Sequence, residues 1–107
     1  MHAVLRINTY DSSKLASHAD QLAEFDRIHA AQPGCLGTVT VDLGDGRRFL
    51  LNLWDTDEDR QRALTALGPI VDRMVNPLFS APSDLIGVGE VISMDLAPGA
   101  DANGRAR

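Results

Sequence analysis

Apolar and polar residues alternate over positions 3–10, with Ala3, Leu5 and Ile7 on one side and Val4, Arg6, Asn8 and Tyr10 on the other. A period of two predicts a β-strand. Asp11, Ser12 and Ser13 follow with N-cap chemistry, and from Lys14 the apolar residues Leu15, Ala19, Leu22, Phe25 and Ile28 recur every three or four positions. That spacing predicts one amphipathic helix. Gln32-Pro33-Gly34 ends it, since proline cannot continue a helix and glycine suits the turn beyond. Extended patterning returns over 36–43 and 48–54, and Gly44-Asp45-Gly46 between them predicts a tight hairpin.

Thr56 followed by Asp59 predicts a capped helix start, with acids in the first turn where the helix dipole favours them. Leu64, Leu67, Val71, Met74 and Leu78 then mark a helical stripe. Gly68-Pro69 lies inside it and predicts a break, with one piece ending near Leu67 and another covering 69–75. Asn76-Pro77 and Ala81-Pro82 mark a loop, and 85–96 returns to strand with Val88, Ile92 and Met94 on one side. Residues 97–107 are Pro, Gly, Ala and polar, and read as a disordered tail after a folded domain at 1–96.

Strand, helix, strand, strand, helix, strand is the order of an α+β, ferredoxin-like βαββαβ fold: a four-stranded antiparallel sheet with two helices on one face. The third strand carries Phe49, Leu51 and Leu53 on one face and Leu50, Asn52 and Trp54 on the other. Both faces are mostly apolar, so both are expected to be covered. A single chain of 107 residues has nothing left to cover the second face. A homodimer joined through the sheet faces is the expected solution.

Charge narrows the function. Fifteen acids against ten Lys and Arg give a net charge of -5, which argues against nucleic-acid binding. No run approaches the roughly 20 apolar residues of a membrane span, and no signal peptide is evident, so a cytoplasmic location is expected. The single Cys35 permits no intramolecular disulfide and no zinc cluster; it reads as a small buried hydrophobe.

Five residues are candidates for a binding site. Trp54, the only tryptophan, suits either core packing or a flat wall for an aromatic ligand. Asn8 and Asn52 interrupt apolar strands and offer amides that can orient a carbonyl or stabilise charge on oxygen. Arg6 and Tyr10 share the parity of Asn8, so that set lines either a pocket or the dimer face. His18 and His29 both read as surface residues, with the alternative for His29, beside the apolar stripe at Ile28, of entering the pocket as a base or haem neighbour. No nucleophile triad, phosphate loop or paired-carboxylate motif is present, so the catalytic residues stay unassigned.

The run from Phe49 to Glu58, FLLNLWDTDE, resembles the third strand and helix start of the antibiotic biosynthesis monooxygenase family. Gln32-Pro33-Gly34-Cys35-Leu36-Gly37 resembles that family's approach to its second strand, and Arg6-Ile7-Asn8 resembles the first strand of its haem-degrading branch. The resemblance spans residues 3–95. It implies a dimeric α/β barrel with a pocket in each subunit between sheet and helices. Some members oxidise polycyclic aromatic compounds with molecular oxygen and no cofactor; others bind and open haem.

On that basis the expected function is cofactor-independent oxidation of a small aromatic or polyketide-like substrate. The alternative is a non-catalytic dimeric binding or stress-related protein. The chain departs from the family pattern in placing Asn52 where members often carry glutamate, and Leu64 where many carry histidine. Haem chemistry is not expected, because residues 57–78 contain no histidine to ligate iron and Ala63 stands near the branch's second pocket tryptophan. No metal and no cofactor are therefore assigned.

Overall fold

A computed structural model describes residues 1–98. It contains the strands β1 (His2–Thr9), β2 (Cys35–Gly44), β3 (Arg47–Trp54) and β4 (Asp84–Glu90). The helices are α1 (Ser12–Ser17), α2 (Ala19–Ala30) and α3 (Asp57–Met74), with a single 3-10 turn at Asn76–Leu78. The four strands form one antiparallel sheet in the order β2-β3-β1-β4. This is the ferredoxin-like α+β arrangement expected from the element order. No helix among the described residues is long and apolar enough to cross a membrane.

Two buried clusters join the helices to one face of the sheet. Val4 and Trp54 pack with Ala63 and Leu67 of α3, flanked by Phe25 and Ile28 of α2. Tyr10 packs with Leu22, Val75 and Leu78. The alternation of β1 and β3 thus sends Val4, Arg6, Asn8, Leu50, Asn52 and Trp54 toward the helices. Leu5, Ile7, Phe49, Leu51 and Leu53 face the other way, with Val39 and Val41 of β2 beside them in register and exposed.

Local structure departs from the sequence expectation in four places. The first helix is two helices, interrupted at His18. There the Ser17 hydroxyl and the His18 ring both reach the Lys14 carbonyl, and such side-chain bonds compete with the helical ladder. Conversely, α3 runs unbroken through Pro69. Pro69 and Thr65, whose carbonyl the proline leaves without its helical donor, are both exposed, so water can satisfy that carbonyl. Ala63 rather than Leu64 carries the buried stripe of that helix.

The fourth strand ends at Glu90 rather than near Leu96. Its partner β1 starts at His2, and the Val91 N–H to Met1 carbonyl bond is the last available. Beyond it Ile92 is 95% exposed, with Met94 and Leu96 also exposed. The expectation of a disordered tail falls mostly on residues 99–107, outside the described residues.

Two turns fix the ends of β3. Gly46 has a φ of 77°, and its carbonyl accepts the Tyr10 N–H at 2.8 Å, so an added Cβ would strike the Tyr10 backbone. At the other end the Gly34 carbonyl accepts the Asp55 N–H at 2.8 Å, next to Trp54. Thr56 caps α3 by accepting the Asp59 N–H at 3.0 Å.

Candidate functional site

Between the sheet and helices α2 and α3 lies a cavity of about 420 Å³. Its floor is built from β1 and β3, its walls from Phe25, His29, Leu67 and Val71, and Thr38, Thr40 and Leu64 stand exposed at its rim. All five candidate residues, Arg6, Asn8, His29, Asn52 and Trp54, line it. The helix-facing parity of β1 and β3 brings four of them together. His29 arrives from the last turn of α2.

At one end of the cavity the faces are aromatic. Trp54 is only 4% exposed and meets the His29 ring edge to face, with centroids 5.3 Å apart. Cys35, paired with Trp54 across β2 and β3, also approaches His29, its Sγ 3.9 Å from Nδ1. It is half-buried at the cavity wall rather than enclosed as a core hydrophobe, because the bulge at the start of β2 leaves it at the sheet edge. Burial drives the His29 pKa below 6.5, with Asp26 partly opposing the shift. The imidazole is therefore neutral at pH 7 and able to accept a proton. Asp26 sits at the rim with much of its surface in water, yet desolvation of its carboxyl raises its pKa against the pull of His29 and Arg48.

The floor carries two amides, each oriented by a hydroxyl. Ser83 donates its hydroxyl to Asn8 Oδ1 at 2.5 Å, and Thr38 donates its hydroxyl to Asn52 Oδ1 at 2.8 Å. Both amide oxygens thereby accept a hydroxyl hydrogen bond; the Asn52 NH2 remains a donor, while the Asn8 amide also reaches Tyr10. Arg6 adds a third donor, reaching Ser83 Oγ at 3.4 Å. Asn8 is 8% exposed and is the one buried polar residue of the described core. Tyr10, beside it, has its pKa raised by burial, partly offset by the Asn8 amide and by Arg48 above its ring.

Sequence reasoning missed Ser83, Thr38, Asp26 and Cys35 as cavity residues. Asp26 had a usable signal, since it precedes His29 by one helical turn. Ser83 had none, being 75 positions from Asn8 and joined to it only by the β1–β4 pairing.

No protein-family model matches the sequence, and no curated protein matches it. Solved structures do match. A protein of unknown function from Nitrosomonas europaea superposes with a TM-score of 0.70 at 18% identity, covering 92% of this chain and 95% of the other. SnoaB from Streptomyces nogalater, a cofactor-independent oxygenase, superposes at 0.70 with 16% identity, covering 87% and 94%. A candidate antibiotic biosynthesis monooxygenase from Caulobacter crescentus does so at 0.70 with 14% identity, covering 86% and 90%. The chain has the antibiotic biosynthesis monooxygenase fold. Within that monooxygenase fold the cavity occupies the space between helices and sheet, and identities this low establish the architecture alone. Among the described residues no group of three or more His, Cys, Asp and Glu side chains is placed to hold a metal.

Proposed function

We propose that this chain is a cofactor-independent oxygenase acting on a small fused-ring aromatic substrate. Support comes above all from the floor of the cavity, where hydroxyls on the Asn8 and Asn52 oxygens orient both amides and leave them N–H donors, that of Asn52 near the aromatic end. Such donors favour a substrate that has become an anion. A neutral His29 beside an aromatic wall supplies the base. The similarity of fold to SnoaB agrees with this chemistry.

In the proposed reaction His29 takes a proton from an activated ring CH2 group, and the Asn52 amide, two residues from Trp54 along β3, stabilises the resulting enolate oxygen. The carbanion reacts with dioxygen to give a hydroperoxide, with His29 returning the proton. Loss of water leaves a ketone, so that one CH2 group and one O2 become one C=O and one H2O. Trp54 holds the ring, and the apolar walls limit water at the reacting carbon.

Anthrone is a suitable probe. The expected result is uptake of one O2 per anthraquinone formed, faster than spontaneous oxidation and unchanged by a chelator. Anthrone binding with no rate above the spontaneous one would establish a non-catalytic binding protein instead.

The proposal includes a homodimer formed through the open sheet face, where Val39 and Val41 are exposed beside Leu5, Ile7, Phe49, Leu51 and Leu53. Light scattering at micromolar concentration is expected to give twice the 11.5 kDa chain mass. A monomer at that concentration would remove this part of the proposal. We propose a cytoplasmic location for this reaction, where a lone thiol such as Cys35 stays reduced.

A further inference from the structure

The cavity has two ends, and they differ in kind. Register places Trp54 opposite His2 and Leu50 opposite Arg6, four residues further along β1. At the usual strand rise the two ends are separated by about 13 Å. Trp54, His29 and Phe25 make the first end aromatic. The second gathers Arg6, Ser83, Asn8 and Asn76.

Arg6 is the unexplained residue there. Its guanidinium carries a permanent positive charge into a largely apolar cavity. The ion pairs among the described residues belong to Arg27, Arg60 and Arg62, on helices, and none includes Arg6. Its polar contact is a long bond to the neutral Ser83 hydroxyl. A half-buried charge without a counter-ion is unfavourable, and a carboxylate is the group whose two oxygens match a guanidinium in shape and sign. Long-range attraction does not recruit that anion, because the chain has a net charge of -5. Selectivity for it has to come from contact.

We propose that Arg6 and Ser83 form an anion-anchoring subsite that takes a carboxylate borne by the substrate at the end remote from the ring held at Trp54. This rests on the aromatic-substrate reading above and narrows it to acidic, elongated molecules. Arg6 pairs with the carboxylate. Ser83, on the segment leading into β4, accepts from the guanidinium and holds it in place while its own hydroxyl donates a hydrogen bond to Asn8 Oδ1. Arg6 and Ser83 then act on specificity, and the proton transfer at His29 proceeds a strand's length away.

The test compares anthracene-2-carboxylate with anthracene-2-carboxamide, which has the same rings and no charge, by calorimetry. Wild-type protein is expected to bind the carboxylate at least tenfold more tightly. In Arg6→Gln that preference disappears while carboxamide binding persists, which also shows that the variant is folded. Ser83→Ala is expected to reduce the preference several-fold. Equal affinity of the two probes for wild type, or a preference that survives in Arg6→Gln, overturns the anchor and leaves the aromatic cavity standing. Failure of both probes to bind wild type overturns the aromatic-substrate reading and the anchor with it.

Discussion

Trp54→Ala is expected to lower the stability of the fold by about 3–5 kcal/mol, the range for removing a large buried aromatic side chain. The indole is nearly inaccessible and packs against Val4, Ala63 and Leu67 while its ring also borders the cavity. Truncation therefore enlarges an existing space rather than creating one that neighbours can close. Against a total of about 5–15 kcal/mol for an ordinary domain, such a loss leaves little margin. Urea unfolding followed by circular dichroism is the measurement, since the variant has no other tryptophan to report by fluorescence. The midpoint should fall with the slope unchanged. A loss below about 1 kcal/mol would mean that the indole belongs to the cavity wall alone. Trp54→Phe keeps a ring at the site, and is expected to retain aromatic ligand binding with a smaller loss of stability.

The largest effect on rate is expected at His29. Removing a general base typically costs 10²–10⁴-fold, so His29→Gln should lower anthrone turnover by about that factor with binding retained. The pH dependence has a definite sign. Burial depresses the imidazole pKa from 6.5, so the base is fully available above that value. Activity should hold from alkaline pH down to 6.5 and fall only as pH drops through the lower folded-state value. Stability follows the same direction: the unfolded chain takes up a proton near 6.5 while the folded chain resists it, so stability is lost as pH falls through this window. Both acid limbs should be absent in His29→Gln. A rate profile unaltered by the substitution would remove His29 from the chemistry.

The features legible in the sequence are those set by near neighbours. The alternation through Val4, Arg6 and Asn8, the Thr56 cap and the Gly44-Asp45-Gly46 turn all act within a few residues, and the structure has each of them. Where tertiary context decides, local rules mislead. Pro69 is tolerated because it lies on the wet side of α3, a fact that depends on what the opposite side packs against. Residues 91–96 keep a strand-like pattern but have run past the end of β1, and no local property records where a partner strand begins. The cavity divides the same way. Trp54 and Asn8 stand out by residue type within their strands, whereas Ser83 and Thr38 become informative only once pairing sets them against the asparagines they orient.

The strict alternation of β1 also shapes how this protein can change. Positions 4, 6 and 8 face the cavity, and 5 and 7, between them, face the opposite side of the sheet. Two sets of residues with separate duties are interleaved within one eight-residue strand. Point substitutions can alter one set and spare the other, so ligand preference and the outer face are free to diverge independently. An inserted or deleted residue has no such freedom, because it exchanges the two sets at once and puts Arg6 and Asn8 where Leu5 and Ile7 belong. Lineages descended from such a chain are therefore expected to vary at β1 by replacement and to keep its length.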